Sequence, residues 1–509
     1  MANLYKATAI GLIACLILQA CGGGGGGGST PPDTKVDALN MADGLGNEGH
    51  ISGTVIVGNE ARANDALMAA SSVAITLHDD DSGLIAWLVA ADAQHSEALT
   101  ARLSPNGTWQ TPSKLQQVSV SPTASTLHLR RNSMGDAVLG WVDTATGNWG
   151  RTLRWQHTTQ NWDPTPSDFS TGALANGHDH GWDLALNNDL TIMSSATAKN
   201  STPYQTGIWL MDVQGHETFR PTGINAGDTT FARLDPQSDG VFNFYSTSTP
   251  TGSNLWVRHE SPVAGAQFAG VPLLQNKTIC SDYYRISGLH AAASKSVSAV
   301  AAVLTDEAGG TCRAPRLNLI RVDALGTFTI TPMEANAPQT IFDSEPQVAI
   351  DDQGRALAVW CESTRDVYGY PANPQCKWSK SLPGQNWSTP ANLVTSQDPP
   401  TKYSSYFGPV LAMNAKGQAV TAIKVSSADT TYNPRIMVAR FDFDGGWQSW
   451  FTAANKFEPL APAVAINSKG TALLAYSALD VPRQNGRAPN GYGYTANEAP
   501  YRRVFAVRF

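Results

Sequence analysis

The sequence predicts an all-β fold, a single β-propeller of four-stranded blades, and three observations favour it. Thr, Ser, Gly, Asn and Trp are plentiful in the 509-residue chain, whereas long Glu- and Lys-rich helical stretches are missing. A motif of two short strands around an Asx-x-x-Gly turn recurs about every 55 residues. A second turn follows in most repeats, so each repeat is expected to contain four antiparallel strands.

The clearest turns of this repeat are Asp351–Gly354, Asn414–Gly417 and Asn467–Gly470. The Asx side chain can accept hydrogen bonds from its own turn, and glycine tolerates the closing backbone conformation. Earlier turn glycines are assigned at Gly83, Gly135 and, in a looser copy, Gly240. Two wider intervals are filled by Asn187–Asp189 and, less regularly, by the stretch His290–Leu304.

The spacing of the repeats predicts eight blades, with seven as the alternative. The last repeat ends with Arg503–Phe509, which would be only its third strand. The segment Ile51–Val57 is a spare strand before the first repeat, and we expect it to complete the last blade and close the ring. A tandem of β-sandwiches and an open solenoid are the alternative architectures.

The N-terminus has the order of an export signal. An uncharged apolar run, Ala7–Leu18, is followed by Leu18-Gln19-Ala20-Cys21 and the glycine run Gly22–Gly28. This block resembles the bacterial lipobox, which implies cleavage before Cys21 and acylation of that cysteine. Three segments follow from it: a signal peptide (1–20), a lipidated cysteine with a flexible Gly/Pro tether (21–49), and the propeller (50–509). An ordinary signal peptide cut elsewhere is the alternative.

The resemblance to lipoproteins predicts a location in the cell envelope, anchored to the membrane through lipid. Gly22, rather than Asp, follows the cysteine, and by analogy with lipoprotein sorting this favours the outer membrane. The periplasmic and the surface orientation both stay open. The net charge of -7 and the low charged fraction of 15% argue against a nucleic-acid partner.

Four cysteines remain after the predicted signal and lipidation site. In an oxidising compartment they are expected to pair as Cys280–Cys312 and Cys361–Cys376. A zinc site built from all four cysteines is the alternative, but no Cys-x-x-Cys pair supports it.

The candidate binding face is the side of the propeller that carries the longer loops. Long loops on a rigid scaffold are where binding usually occurs. These loops are Gly177–Trp182, Ser363–Gln375, Pro399–Ser405, Ser426–Pro434 and Ala478–Pro500. Aromatic and Arg side chains are common anchors of recognition surfaces. The candidates are Arg365, Tyr368, Tyr370, Tyr403, Tyr406, Arg483, Arg487, Tyr492 and Tyr494. The alternative is that these side chains only pack the loops onto the blades.

The segment His178-Asp179-His180 adds two candidates, His178 and His180, to this face. Two His flanking Asp could bind a metal or supply a base. No third ligand can be named, so the sequence predicts no metal site and no cofactor, with a structural cation on the propeller axis as the alternative. Asp79–Asp81 lies in a predicted hairpin turn and resembles a calcium loop only superficially.

In the spacing of its strands and turns, the repeat resembles the sialidase-like and BNR-type bacterial propellers. It departs from their Ser-x-Asp-x-Gly-x-x-Trp motif because the aromatic residue falls later, as from Gly354 to Trp360. Asp79, Gly83 and Trp87 match once the Asp-x-x-x-Gly-x-x-x-Trp motif of eight-bladed quinoprotein-like propellers. That family includes the lipoprotein of the outer-membrane barrel-assembly machine, so the resemblance implies envelope assembly as one function.

The sequence favours a non-catalytic binding or scaffold protein that holds a glycan, a peptide or a partner protein on the long-loop face. No recognisable catalytic constellation is present, so an enzyme is the less favoured interpretation. A carbohydrate-active enzyme resembling sialidase-like glycoside hydrolases is the first alternative. It would need paired carboxylates across a pocket, for which Glu362, Asp366 and Asp480 are candidates. An envelope-assembly factor is the second alternative.

Overall fold

A computed structural model of the chain describes twenty stretches. They are residues 73–90, 96–120, 127–143, 149–168, 183–198, 205–225, 241–261, 265–280, 289–294, 298–307, 312, 315–333, 340–342, 344–365, 371–393, 403–427, 435–448, 450–454, 457–479 and 502–509. All belong to one compact unit, Val36–Phe509. Within these stretches no helix of membrane-spanning length and apolarity occurs. The predicted signal peptide, Cys21, the tether and the strand Ile51–Val57 lie outside them.

The described residues form strands and turns without a helix, as the composition predicts. The first sheet contains Val73–Leu77 (β1), Gly83–Ala90 (β2), Ser96–Leu103 (β3) and Ser113–Val120 (β4), in that spatial order. The second contains His128–Arg131 (β5), Ala137–Asp143 (β6), Trp149–Gln156 (β7), Asn161–Trp162 (β8) and Ser167–Asp168 (β9). The third contains Asp183–Leu186 (β10), Ile192–Ala198 (β11), Gln205–Met211 (β12) and Glu217–Asn225 (β13).

A larger sheet of seven strands occupies the middle of the chain. It contains Val241–Thr249 (β14), Gly252–Ser261 (β15), Gly265–Ile279 (β16), Leu289–Ser294 (β17), Ser298–Glu307 (β18), Arg316–Val322 (β19) and Phe328–Pro332 (β20). Only three residue pairs join β16 to β18, and through them β14–β16 to β17–β20. The hairpin β17–β18 overlaps the stretch His290–Leu304, where the spacing predicts a repeat.

Three sheets complete the described chain. The fifth sheet contains Thr340–Phe342 (β21), Gln347–Ile350 (β22), Ala356–Arg365 (β23), Pro371–Ser381 (β24) and Ala391–Asn392 (β25). The sixth contains Tyr403–Met413 (β26), Ala419–Ser427 (β27), Arg435–Asp442 (β28), Gly446–Trp447 (β29) and Phe451–Ala454 (β30). The last contains Phe457–Ile466 (β31), Ala472–Leu479 (β32) and Arg502–Arg508 (β33). Every strand pair is antiparallel, and these successive sheets are the blades of a β-propeller.

The Asx turns form as the sequence predicts. In the last sheet, Asn467 Oδ1 accepts the backbone N–H groups of Lys469 and Thr471 at 3.1 and 3.0 Å. Asn414 and Asp351 accept the corresponding N–H groups of their own turns. The Asx side chain therefore accepts hydrogen bonds from backbone N–H groups that a tight turn would leave unpaired.

The turn of the first sheet differs from the prediction. Gly83 is the first residue of β2, and Asp81 takes the left-handed conformation that glycine takes in other turns, with φ of 68°. The backbone closes the turn from His78, whose carbonyl accepts the N–H of Asp81 at 3.0 Å. The single match of Asp79, Gly83 and Trp87 to the quinoprotein-like motif therefore has its glycine in a strand.

The same Asn residues also link neighbouring sheets, a role that the sequence does not reveal. The side-chain Nδ2 donates to the backbone carbonyl of the equivalent residue in the next sheet. The bonds are Asn132 to Asn187 at 3.1 Å, Asn414 to Asn467 at 2.8 Å, and Asn467 to His78 at 3.0 Å. The last bond joins the last sheet to the first across a separation of 389 residues.

Arginines on third strands, two of them buried and Arg440 half-buried, make a second repeated link to the turn of the following sheet. The bonds are Arg154 Nε to the Leu190 carbonyl at 3.2 Å, Arg440 Nη1 to the Gly470 carbonyl at 2.8 Å, and Arg321 Nη2 to the Gly354 carbonyl. Each accepting residue stands three positions after the Asx of its turn. Burial lowers the pKa of all three guanidinium groups, which stay charged at neutral pH.

The apolar core lies between successive sheets. The repeat places an aromatic residue on its second strand, and in four sheets this residue is at most 1% exposed: Trp87, Trp141, Trp360 and Tyr476. Trp87 packs with Leu473 and Ala475 of the last sheet, and Trp141 packs with Leu84 and Ala86 of the first. The aromatic residue that the repeat places late after its glycine thus fills the interface with the preceding sheet.

Both predicted disulfides form. Cys280–Cys312 has a Cα–Cα distance of 5.5 Å, and Cys361–Cys376 joins directly opposed residues of β23 and β24 with a Cα–Cα distance of 4.0 Å. The alternative of a four-cysteine zinc site is therefore wrong.

Gly417 is expected to tolerate no side chain. Its φ is +80°, and a methyl group there would lie 2.7 Å from Asp351 Oδ2 and closer still to Arg355 Nη2. We expect Gly417→Ala to lower the free energy of unfolding by about 2–4 kcal/mol, because left-handed strain adds to the displacement of Arg355. Urea denaturation measures this loss.

Gly384→Ala is the matched control for that variant. Gly384 has φ of +72°, and no atom lies within 4 Å of the place that a methyl group would take, so only backbone strain of about 1–2 kcal/mol is expected. Equal losses in the two variants would show that the contacts of the added methyl group with Asp351 and Arg355 cost nothing beyond backbone strain.

Candidate functional site

A cavity lies among the first strands of six hairpins. Segments at or next to strands β1, β5, β17, β22, β26 and β31 line it, and its volume is about 520 Å³. We call it the axial cavity. First strands approach one another here because many of their residues are small: Ala74, Ala291, Ala292, Ala293, Ala349, Ala412 and Ala463. Most of the lining residues are therefore apolar, although backbone groups and a few polar side chains make more than half of the exposed wall polar.

Five polar side chains line the axial cavity: His128, Arg130, His290, Glu345 and Gln347. His128 and Arg130 alternate along β5, so both point to the same side of that strand. His128 is buried, and the other four are half-buried. These residues come from three separate parts of the sequence and meet only because three sheets converge.

His290 is oriented by the neighbouring strand. Its Nδ1 accepts the backbone N–H of Val348 at 3.2 Å. In the neutral ring the proton is then on Nε2, which makes Nε2 a hydrogen-bond donor. Together with the Arg130 guanidinium, the cavity has donors suited to a ligand rich in oxygen acceptors.

Carboxyl groups are scarce at this site. Among the described lining residues, Glu345 is the one carboxylic acid. Glycoside hydrolysis commonly requires two carboxylic acids that face each other across a pocket. The described residues of the wall do not supply such a pair.

Glu362, a candidate catalytic acid, is instead part of a buried ion pair. Its carboxylate bonds to Lys377 Nζ and accepts the Trp360 Nε1 hydrogen at 3.1 Å. The side chains of Glu362 and Lys377 are 8% and 7% exposed. Glu362 is thus engaged inside the fifth sheet and does not line the axial cavity. The other two candidate acids, Asp366 and Asp480, lie outside the described residues.

Three residues of the predicted binding face lie in described strands. Arg365 ends β23, and Tyr403 and Tyr406 lie in the first half of β26, which puts their backbones at the end of the sheets opposite the Asx turns. The predicted loop Ser363–Gln375 is mostly strand, since β23 reaches Arg365 and β24 begins at Pro371. The other candidates lie outside the described residues: His178, His180, Tyr368, Tyr370, Arg483, Arg487, Tyr492 and Tyr494.

The polar residues that line the axial cavity are not among the binding-site residues that the sequence pattern predicts. A usable signal existed, because Arg130 is a charged residue at a strand position that other repeats fill with a small residue, as at Ala292, Ala349 and Ala412. In the described part of the chain, no group of three His, Cys, Asp or Glu side chains is arranged to hold a metal ion.

No protein-family model matches the chain, and no curated protein matches it. Solved structures with a similar arrangement include the polysaccharide lyase Uly1, at 10% identity and a TM-score of 0.43, covering 76% of this chain and 90% of that one. An ulvan lyase bound to -[GlcA(1-4)Rha3S]- has 10% identity and a TM-score of 0.44, covering 70% and 88%. The β-propeller domain of the Trilobed protease from Pyrococcus furiosus has 11% identity and a TM-score of 0.35, covering 64% and 84%. Likenesses this distant carry no information about activity.

Proposed function

We propose that this protein is a lipid-anchored cell-envelope propeller that binds an acidic saccharide in its axial cavity. The observation that carries the proposal is the cavity of about 520 Å³ in which Arg130, His128 and His290 stand among mostly apolar residues. Small-molecule sites commonly have volumes of about 300–1,000 Å³ and a few convergent polar groups. A saccharide of one or two rings fits this range.

The chemistry of the polar groups favours a carboxylate-bearing ligand. The guanidinium of Arg130 can bind a carboxylate through two parallel hydrogen bonds, and His290, whose Nδ1 accepts the Val348 N–H, can donate through Nε2. Gln347 can both donate to and accept from hydroxyl groups. Strand β26 also carries Tyr403 and Tyr406 upstream of its cavity-lining segment 410–413.

An eight-bladed closed ring is part of this proposal. The seven-stranded sheet divides at the short β16–β18 junction into two groups of strands, which supports eight units. One apolar cluster between the last and first sheets, and the bond from Asn467 to His78, support closure. We also propose that Cys21 is lipidated at the outer membrane and that Ile51–Val57 completes the last blade.

Binding of a glucuronate-containing disaccharide, measured by isothermal titration calorimetry, tests the ligand class. Arg130→Gln is expected to weaken binding by about 10- to 100-fold, because a hydrogen bond to a charged group contributes about 1.5–3 kcal/mol. Cellobiose, a neutral disaccharide, should bind much more weakly than the uronate.

Arg316→Gln is the matched control, since Arg316 is exposed on β19 and does not line the cavity. It should leave the affinity for the glucuronate disaccharide unchanged. Equal affinity for the two disaccharides, or an unchanged affinity in Arg130→Gln, would rule out recognition of a carboxylate in the axial cavity.

A carbohydrate-active enzyme is the second candidate function. The favouring observation is that two His and one Arg share the cavity, since His is the most common general acid or base and Arg can neutralise a uronate carboxylate. Incubation of a uronate polysaccharide with the purified protein separates the two functions. Shortened chains that depend on His128 or His290 would favour the enzyme, whereas binding without chain cleavage favours the binding protein.

A further inference from the structure

The turn of the first sheet departs from the repeat at His78. In other sheets the equivalent residue is Asn132, Asn414 or Asn467, and its side chain is consumed by the turn and by the neighbouring sheet. In the first sheet, Asp80 Oδ1 instead accepts the Ser82 N–H at 2.8 Å. The imidazole of His78 is therefore not needed to close its turn.

The imidazole of His78 is nevertheless buried. The residue is 4% exposed, and its Nδ1 has no hydrogen-bond partner among the described residues. Burial, followed by the nearby Arg131 charge, lowers the pKa of His78 to about 4. The ring is thus neutral at pH 7 and offers a nitrogen lone pair.

His157 is a second departure from the repeat, and it meets the first. It directly follows β7, where Asp212 follows β12 and Asp323 follows β19. Those two carboxylates accept N–H groups of their own turns, at 2.8 Å in each case. The ring of His157 instead lies 5.3 Å from the ring of His78, centroid to centroid. Two imidazoles thus replace two turn-capping residues at one interface between sheets.

A cavity of about 90 Å³ borders both rings. Asp80, Ser82, Arg102 and Gln160 also line it, and Arg102 Nη1 is occupied by Gln160 Oε1 at 2.5 Å. A few water molecules would fill this volume, so it is too small for a saccharide but can hold a hydrated ion. The cavity is separate from the axial cavity, with which it shares no lining residue.

We propose that His78 and His157 form a binding site for a divalent transition-metal ion such as Zn²⁺. Neutral imidazole nitrogen is a preferred ligand of Zn²⁺ and Cu²⁺. The carboxylate of Asp80 balances part of the charge, and water completes the coordination of the two-histidine site. This inference is independent of saccharide binding.

Titration of the purified, untagged full-length chain with ZnCl₂, followed by calorimetry, tests the site. His78→Asn restores the Asn of the other turns, so the variant is expected to fold. We expect His78→Asn and His157→Asn each to weaken one zinc-binding event by about tenfold or more. His216→Asn, at an exposed histidine in the third sheet, is the control and should leave that event unchanged.

Electron paramagnetic resonance of the Cu²⁺-loaded chain gives a readout that a purely structural role would not change. Two nitrogen ligands are expected in the unmodified protein and one in each histidine variant. Unchanged zinc affinity and an unchanged nitrogen count in both variants would overturn the proposal, as would the absence of zinc binding at about 1 mM.

Discussion

Lys377→Met is expected to lower the free energy of unfolding by about 3–5 kcal/mol, as measured by urea denaturation. Lys377 Nζ is bonded to Glu362 inside the fifth sheet, where both side chains are almost fully buried. Removing the ammonium takes away the buried positive charge that compensates the Glu362 carboxylate, which keeps its hydrogen bond from Trp360 Nε1. A buried charge that loses its partner is one of the few changes with so large an effect.

Lys277→Met is the matched control for this prediction. It removes a Lys–Glu pair of similar geometry, since Lys277 Nζ lies 2.7 Å from Glu307 Oε2, but these side chains are 33% and 68% exposed. Solvent screens such a pair, so a loss of about 1 kcal/mol or less is expected. The double variant Glu362→Gln with Lys377→Met should recover part of the stability. Similar losses for Lys377→Met and Lys277→Met would show that burial of the Glu362–Lys377 pair does not increase its contribution to stability.

Asn467→Ala is expected to lower the free energy of unfolding by about 3 kcal/mol. Asn467 is 0% exposed, and its side chain makes four hydrogen bonds, two within its turn and two to the first sheet. The bonds to the first sheet reach the His78 carbonyl at 3.0 Å and Asp81 Oδ1 at 2.6 Å. Each lost bond is worth about 1 kcal/mol, and buried groups left without partners add to the loss.

Amide hydrogen exchange identifies where Asn467 acts. The variant should reduce protection at the Asp81 and Ser82 amides of the first sheet, far away in the sequence, because the interface between the two sheets opens more readily. Asn106→Ala is the control, since exposed Asn106 caps its own turn through Thr108 N at 3.1 Å and Ser104 Oγ at 2.5 Å. It should cost about 1 kcal/mol or less and leave the first turn protected. Unchanged exchange at Asp81 and Ser82 in Asn467→Ala would argue against a link between the last and first sheets.

Local chemistry explains why the hairpins could be predicted. At Asn414–Gly417 and Asn467–Gly470, the capping bonds and the left-handed glycine form within five consecutive residues. The all-β class followed from the same signals, because each strand alternates between the two faces of a sheet. The disulfide partners could likewise be paired by spacing, since Cys361 and Cys376 close a single hairpin.

The turn of the first sheet differs from what its local sequence predicts. A glycine was expected to mark the left-handed position, but Asp81 occupies it while bonded to Asn467 and Lys469 of the last sheet. Those partners are almost four hundred residues away. Contacts with another sheet thus accompany a conformation that the local residues alone would disfavour.

The sequence by itself determined the strand-turn-strand repeat, its aromatic core position and the two disulfides, because these depend on periodicity and on neighbours along the chain. Only the tertiary structure decided which residues share a site. His128, Arg130 and His290 meet in the axial cavity, whereas Glu362, which the sequence marked as a candidate acid, is paired with Lys377. The physical reason is that the packing of distant sheets determines which strands converge and which side chains are buried. A short sequence pattern carries no information about that packing.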